Sequence, residues 1–136
     1  METETMERNE TDTRGEGYLA DMREAFEQMK AYTDIDNNLV DEAERRIQEM
    51  PLSVLIRDGW RTPGQDVSDD GPEEYEILLG TGGPACRIYG TLNQYGEPET
   101  AEMQWQDWFK PWERVRLSED DQKLVMRFAR QFWFDA

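Results

Sequence analysis

Histidine is missing from all 136 residues, and cysteine occurs once, at Cys86. The first absence removes the Ser-His-Asp triad, the commonest general base and most zinc sites, since each relies on an imidazole. The second excludes an internal disulfide framework and suits a reducing compartment. Lysine is scarce as well: of 15 basic residues only Lys30, Lys110 and Lys123 are lysines. No apolar run approaches the roughly 20 residues a membrane helix needs. The opening METETMERNETDTRGEG has neither the basic start nor the apolar middle of a secretory signal. A cytoplasmic protein without a membrane partner is the expectation.

Acid is what the chain has in excess, with 31 Asp and Glu against 15 Lys and Arg and a formal net charge of −16. The imbalance is −4 over residues 1–16 (6 acidic, 2 basic), −5 over 17–50 (9 and 4), −6 over 51–100 (9 and 3) and −1 over 101–136 (7 and 6). A field of this sign repels DNA, RNA and anionic membrane and attracts basic partners, so direct nucleic-acid binding is not expected. Three purposes compete. Salt adaptation would enrich acid and suits the arginine-over-lysine bias. Mimicry of nucleic acid would set carboxylates where a DNA-binding protein expects phosphates. Solubility alone would also explain the charge. The uneven distribution favours mimicry, because a near-neutral aromatic end can pack while an acidic end presents a face.

The patterning predicts an α+β fold. Residues 1–16 lack periodic apolar positions and form an expected disordered acidic arm, with residues 17–136 a single domain. Leu19, Met22, Phe26 and Met29 recur at helical spacing, predicting a helix over about 18–32. Val40, Ala43, Ile47 and Met50 predict a second over about 38–50, capped by Asn37 or Asn38 and ended by Pro51. Together they make an αα-hairpin with a broad acidic back. The period then shortens: 52–57, 75–80, 85–92 and 100–108 predict an antiparallel meander of about four strands spanning 52–108. KPWER (110–114) is a connector. Ser118 caps a C-terminal helix over about 118–133, packed on the sheet, with Leu124, Val125, Phe128, Phe132 and Trp133 as its buried face.

Little in this chain points to catalysis. Thr81-Gly82-Gly83-Pro84 precedes a strand and has no lysine, so it is neither a phosphate loop nor a dinucleotide fingerprint. A tight hairpin turn explains it, since glycine supplies positive φ. Cys86 has no histidine to ionise it, and its neighbour Arg87 points to the opposite side of a strand. It is expected to be a small buried hydrophobe. Asp66, Ser68 and Asp70 alternate like calcium-loop ligands, yet Ile77 stands where an EF-hand needs its closing glutamate. No carboxylate pair is singled out for glycoside cleavage. The expectation is a non-enzymatic protein with no catalytic residue, cofactor or metal.

Binding remains. Asp66, Asp69, Asp70, Glu73, Glu74 and Glu76 are the first candidate contacts for a basic partner, and Asp41, Glu42 and Glu44 the second. WQDWFKPW offers an alternative anchor in Trp105, Trp108 and Trp112, since tryptophan is favoured at interface hot spots. Strand alternation would send Trp105 and Trp108 to opposite faces, with Trp112 over a sheet edge.

EYEILLGTGGPACRIYGTL, the later GEPETAEMQWQDWFKPW and the terminal ARQFWF resemble a family of small uncharacterised phage and prophage proteins, over roughly residues 52–134. Tyr75, Thr81, Gly82, Gly83, Pro84, Arg87, Gly90, Asp107, Trp108, Pro111 and Trp112 carry the likeness. It brings no activity or catalytic residue with it. What it implies is a setting, that of a phage accessory gene, where small acidic proteins resemble anti-CRISPR and other anti-defence inhibitors, DNA mimics among them. The expected function is therefore a phage-encoded inhibitor of a host defence system. Its expected partner is a host nucleic-acid-binding complex such as a CRISPR effector, met in the host cytoplasm. The alternatives are a phage accessory protein that binds through its aromatic patch and a generic salt-adapted acidic domain.

Overall fold

Two helices open the computed structural model, which describes residues 13–33, 35–58, 60, 63–64 and 72–134. Helix α1 (Glu16–Tyr32) buries Leu19, Met22, Ala25 and Phe26, a stripe at spacings of three and four residues. Helix α2 (Asn37–Glu49) buries Ala43 and Ile47. Its cap is Asp36, one residue before the two expected asparagines: the Asp36 carboxylate accepts from the Asn38 backbone N–H at 2.9 Å. All three side chains of the Asp-Asn-Asn run are competent caps, and the extended backbone at Asp36 decides among them.

A five-stranded antiparallel sheet follows in the order β1 (Ser53–Arg57), β2 (Glu74–Gly80), β3 (Ala85–Thr91), β4 (Glu102–Gln106) and β5 (Glu113–Arg114). The four expected strands are present, and β5 is an addition within KPWER. At two residues it is too short to show an alternating pattern, and its register with β4 sets Gln104 opposite Arg114. Helix α3 (Glu119–Ala129) closes the chain, with Ser118 Oγ accepting from the Asp121 N–H at 3.1 Å. Asp120 and Asp121 sit in its first turn, where the helix dipole favours negative charge.

The two sides of the sheet differ by the two-residue period of a strand. Tyr75, Ile77 and Leu79 of β2, Ile88 of β3 and Met103 of β4 point toward the helices and are buried, meeting Met22, Ile47, Val125 and Phe128. Truncating one such large apolar side chain to alanine costs roughly 2–5 kcal/mol, which makes this layer the source of stability. Thr81–Pro84 turns β2 into β3, with Gly82 at φ 94°, as the glycine pair predicts. Gly80, at the base of that turn, lets Tyr18 of α1 close in: a Cβ there would stand 1.9 Å from the tyrosine oxygen.

The C-terminal end departs from the helical expectation. Helix α3 stops at Ala129, so the spacing that would bury Trp133 no longer applies, and Trp133 is exposed. Phe132 is half-buried, and Phe134 reaches the core instead, its ring 4.8 Å from that of Tyr75. The expected acidic arm falls outside the described residues up to position 12, while its last residue, Glu16, begins α1.

Candidate functional site

Three surfaces of different chemistry stand out. The first is the side of the sheet away from the helices. Register places Leu55 and Arg57 of β1, Glu74 and Glu76 of β2, Arg87 and Tyr89 of β3 and Glu102 and Gln104 of β4 on this open face. Arg57 is paired with Glu74 and donates to the Tyr89 hydroxyl at 2.9 Å. Arg87 donates to Glu76 at 2.6 Å and to Gln104 at 2.7 Å. Its guanidinium also lies 4.2 Å from the Trp112 ring centre and 4.9 Å from that of Tyr89, within the range of a cation–π contact. Arg114 lies 3.7 Å from Glu102 and extends the chain of charges to the last strand. The hydrogen bond from Arg57 holds the Glu74 carboxyl below its ordinary range.

The second surface is the back of the helical hairpin. Asp21, Glu24 and Glu27 of α1 and Asp41, Glu42, Glu44 and Glu49 of α2 are all exposed. Glu24 has Arg46 at 3.7 Å, and Arg23 turns away to Asp121 at 2.7 Å on α3. Among the described residues Asp41, Glu42 and Glu44 take part in no ion pair or side-chain hydrogen bond, although exposed Arg45 stands beside them on α2. These seven carboxylates are divided between two helices; the four on α2, about 20 Å long, come to one per about 5 Å, sparser than the phosphates of a single strand, and exposed Arg23, Lys30 and Arg45 lie on the same two helices.

The third surface is the turn between β4 and β5. Strand β4 ends at Gln106, so Trp108 lies in the turn instead of taking the far face of a strand, as alternation would have it. The tip is held from beneath: Gln106 Nε2 donates to the Lys110 carbonyl at 3.0 Å, and Trp105 Nε1 donates to Asp107 at 3.1 Å. Phe109 is fully exposed at 102%, with φ 61°, and Trp108 is exposed beside it. An aromatic residue in the left-handed region is disfavoured by about 1 kcal/mol or more, so this display is costly. Trp105 packs against the core on the helix side, and Trp112 covers Arg87 in the open face.

The candidate residues are thereby separated. Glu74 and Glu76 stand together on the sheet, each tied to an arginine, while Glu73 is exposed at the start of β2 and its N–H donates to the Arg57 carbonyl at 3.0 Å. Asp66, Asp69 and Asp70 lie outside the described residues. Asp41, Glu42 and Glu44 are exposed on α2, with exposed Arg45 one turn beyond Asp41. Arg57, Tyr89 and Phe109 were not singled out from sequence, and Arg87 was named only as the neighbour of Cys86 and as part of the phage-protein likeness. The network of Arg57, Arg87 and Tyr89 became visible only through strand register, and Phe109 through a turn whose geometry its neighbours do not announce.

Cys86 is buried on the helix side of β3, opposite Trp105, and burial pushes its thiol up to about 12. A thiolate is therefore disfavoured there near neutral pH. Among the described residues no group of three acidic or thiol side chains could hold a metal ion, and no helix is long and apolar enough to cross a membrane. No family model, curated protein or solved structure matches this chain.

Proposed function

We propose that this is a non-enzymatic inhibitor that presents the acidic back of its helical hairpin to a basic, nucleic-acid-binding complex of a host defence system. A CRISPR effector met in the host cytoplasm is the leading target. One observation carries the reading: Asp41, Glu42 and Glu44 are exposed and, with Arg45 beside them on the same helix, form no ion pair among the described residues, whereas the acids of the sheet are each paired with an arginine. Unpaired carboxylates on a rigid helix are ordered charges available to a lysine- or arginine-lined groove. The resemblance of roughly residues 52–134 to small uncharacterised phage and prophage proteins is what suggests the host-defence setting. A pull-down from CRISPR-bearing cells tests it. At low salt the protein should recover the effector, and recovery should fall steeply as salt rises. Recovery that ignores salt would contradict it.

A second reading rests on Phe109, fully exposed at a backbone angle that disfavours it. In that case the Trp108–Phe109 tip fills an apolar pocket of a partner, and binding survives high salt but not Phe109→Ala.

A further inference from the structure

Strand β1 is an unguarded sheet edge. It ends the strand order, and nothing pairs with its outer side among the described residues. Val54 and Ile56 point to the helix side, where Ile77, Ile88 and Met103 of the inner strands are 0% exposed, yet they are 36% and 37% exposed. The helical layer thus stops short of β1. On the open face Leu55 is 56% exposed. Sheet edges are usually blunted by charged side chains, lysine above all, by proline or by a bulge; Ser53–Arg57 has no lysine or proline, its one charge, Arg57, is paired with Glu74 on the open face, and it pairs with β2 in unbroken register.

We propose that β1 joins two copies of this chain, running antiparallel about Leu55, so that one sheet continues through both. The strand is self-complementary in that register. Leu55 meets Leu55 of the second copy on the open face, while on the helix side Val54 meets the second copy's Ile56 and Ile56 its Val54, both β-branched cross-strand pairs. Ser53 stands opposite Arg57, so the strand's one charge never faces itself. Both exposed helix-side positions then gain apolar neighbours across the seam.

Charge argues for a second copy over a foreign peptide strand. Residues 53–57 carry no acid, in a chain of net charge −16, and Arg57 is already committed to Glu74. The edge therefore offers a basic or acidic peptide little to recognise beyond backbone and apolar side chains. Repulsion between the remote acids of two copies falls off over about 8 Å at physiological salt. Dimerisation should accordingly strengthen as salt rises, the opposite sign to binding of a basic partner, so the two proposals can fail separately.

Sedimentation equilibrium of the full chain over roughly 1 µM to 1 mM tests this, in low and physiological salt. The wild type should pass from monomer to dimer. Leu55→Lys, which opposes two lysines at the two-fold axis, should weaken the dimer by about tenfold or more. Leu55→Cys gives a second readout that does not depend on Leu55→Lys folding: paired Cα atoms about 4.5–5.5 Å apart can form a disulfide across the axis, so oxidation should yield a covalent dimer. Buried Cys86 does not compete. A wild type that stays monomeric throughout, or a dimer that Leu55→Lys leaves intact, overturns the proposal.

Discussion

Glu76 and Glu44 are the same side chain in two different circumstances. Glu76, on β2, lies 2.6 Å from Arg87 and is part of a layer that runs from Arg57 to Arg114. Glu44, on α2, faces solvent among other acids. The open sheet face binds itself together with charge, and among the described residues the helical hairpin pairs its charges only at Arg23 and Arg46. A count of carboxylates therefore does not separate these two surfaces; their pairing does. The sheet acids are paired with arginines, as is Glu24 of the hairpin, whereas Asp41, Glu42 and Glu44 form no ion pair among the described residues.

Four perturbations should break or sharpen that contrast. The largest effect is expected from Arg87→Ala, which leaves Glu76 half-buried without its partner and removes the cation over Trp112 and Tyr89. A loss of about 1–3 kcal/mol is expected, read as a lower urea midpoint with an unchanged slope. At the aromatic tip the sign reverses: Phe109→Gly relieves a left-handed residue and should stabilise by about 0.5–1 kcal/mol in the same assay. Acid titration gives a smaller effect. Folded Glu74 binds a proton less readily than in the unfolded chain, so its contribution is complete above the ordinary glutamate range and is lost as pH falls through its depressed pKa. Glu74→Gln should flatten that part of the stability profile, and an unchanged profile would detach Glu74 from the fold. The smallest effect belongs to the combined Asp41→Asn, Glu42→Gln and Glu44→Gln variant. Its unfolding free energy should stay within about 0.5 kcal/mol of wild type, since these side chains are exposed and form no ion pair among the described residues.

The sequence-readable part of this molecule is the part governed by local rules. Apolar spacing located α1 through Leu19, Met22 and Phe26, and two glycines and a proline marked the β2–β3 turn. Ser118 announced the start of α3. The missed features depend on partners distant in the chain. Arg87 finds Glu76, Gln104 and Trp112 only once the hairpin register and the β4–β5 turn are fixed, and no local pattern states that register. Phe134 replaces Trp133 in the core because the chain leaves helical geometry after Ala129. The candidate site was legible as residue types and not as a surface: Glu74 and Asp41 look alike in a string, and only tertiary pairing divides them.

The most direct test of the central claim is the salt dependence of affinity for a purified CRISPR effector, compared across three proteins. Wild type should bind with a steep negative slope of log affinity against log salt concentration. The Asp41→Asn, Glu42→Gln, Glu44→Gln variant should lose both affinity and slope, while a Glu74→Gln, Glu76→Gln variant that remains folded should keep them. Loss of binding in the sheet variant alone, or a flat slope in wild type, would contradict the assignment of the hairpin as the contact surface.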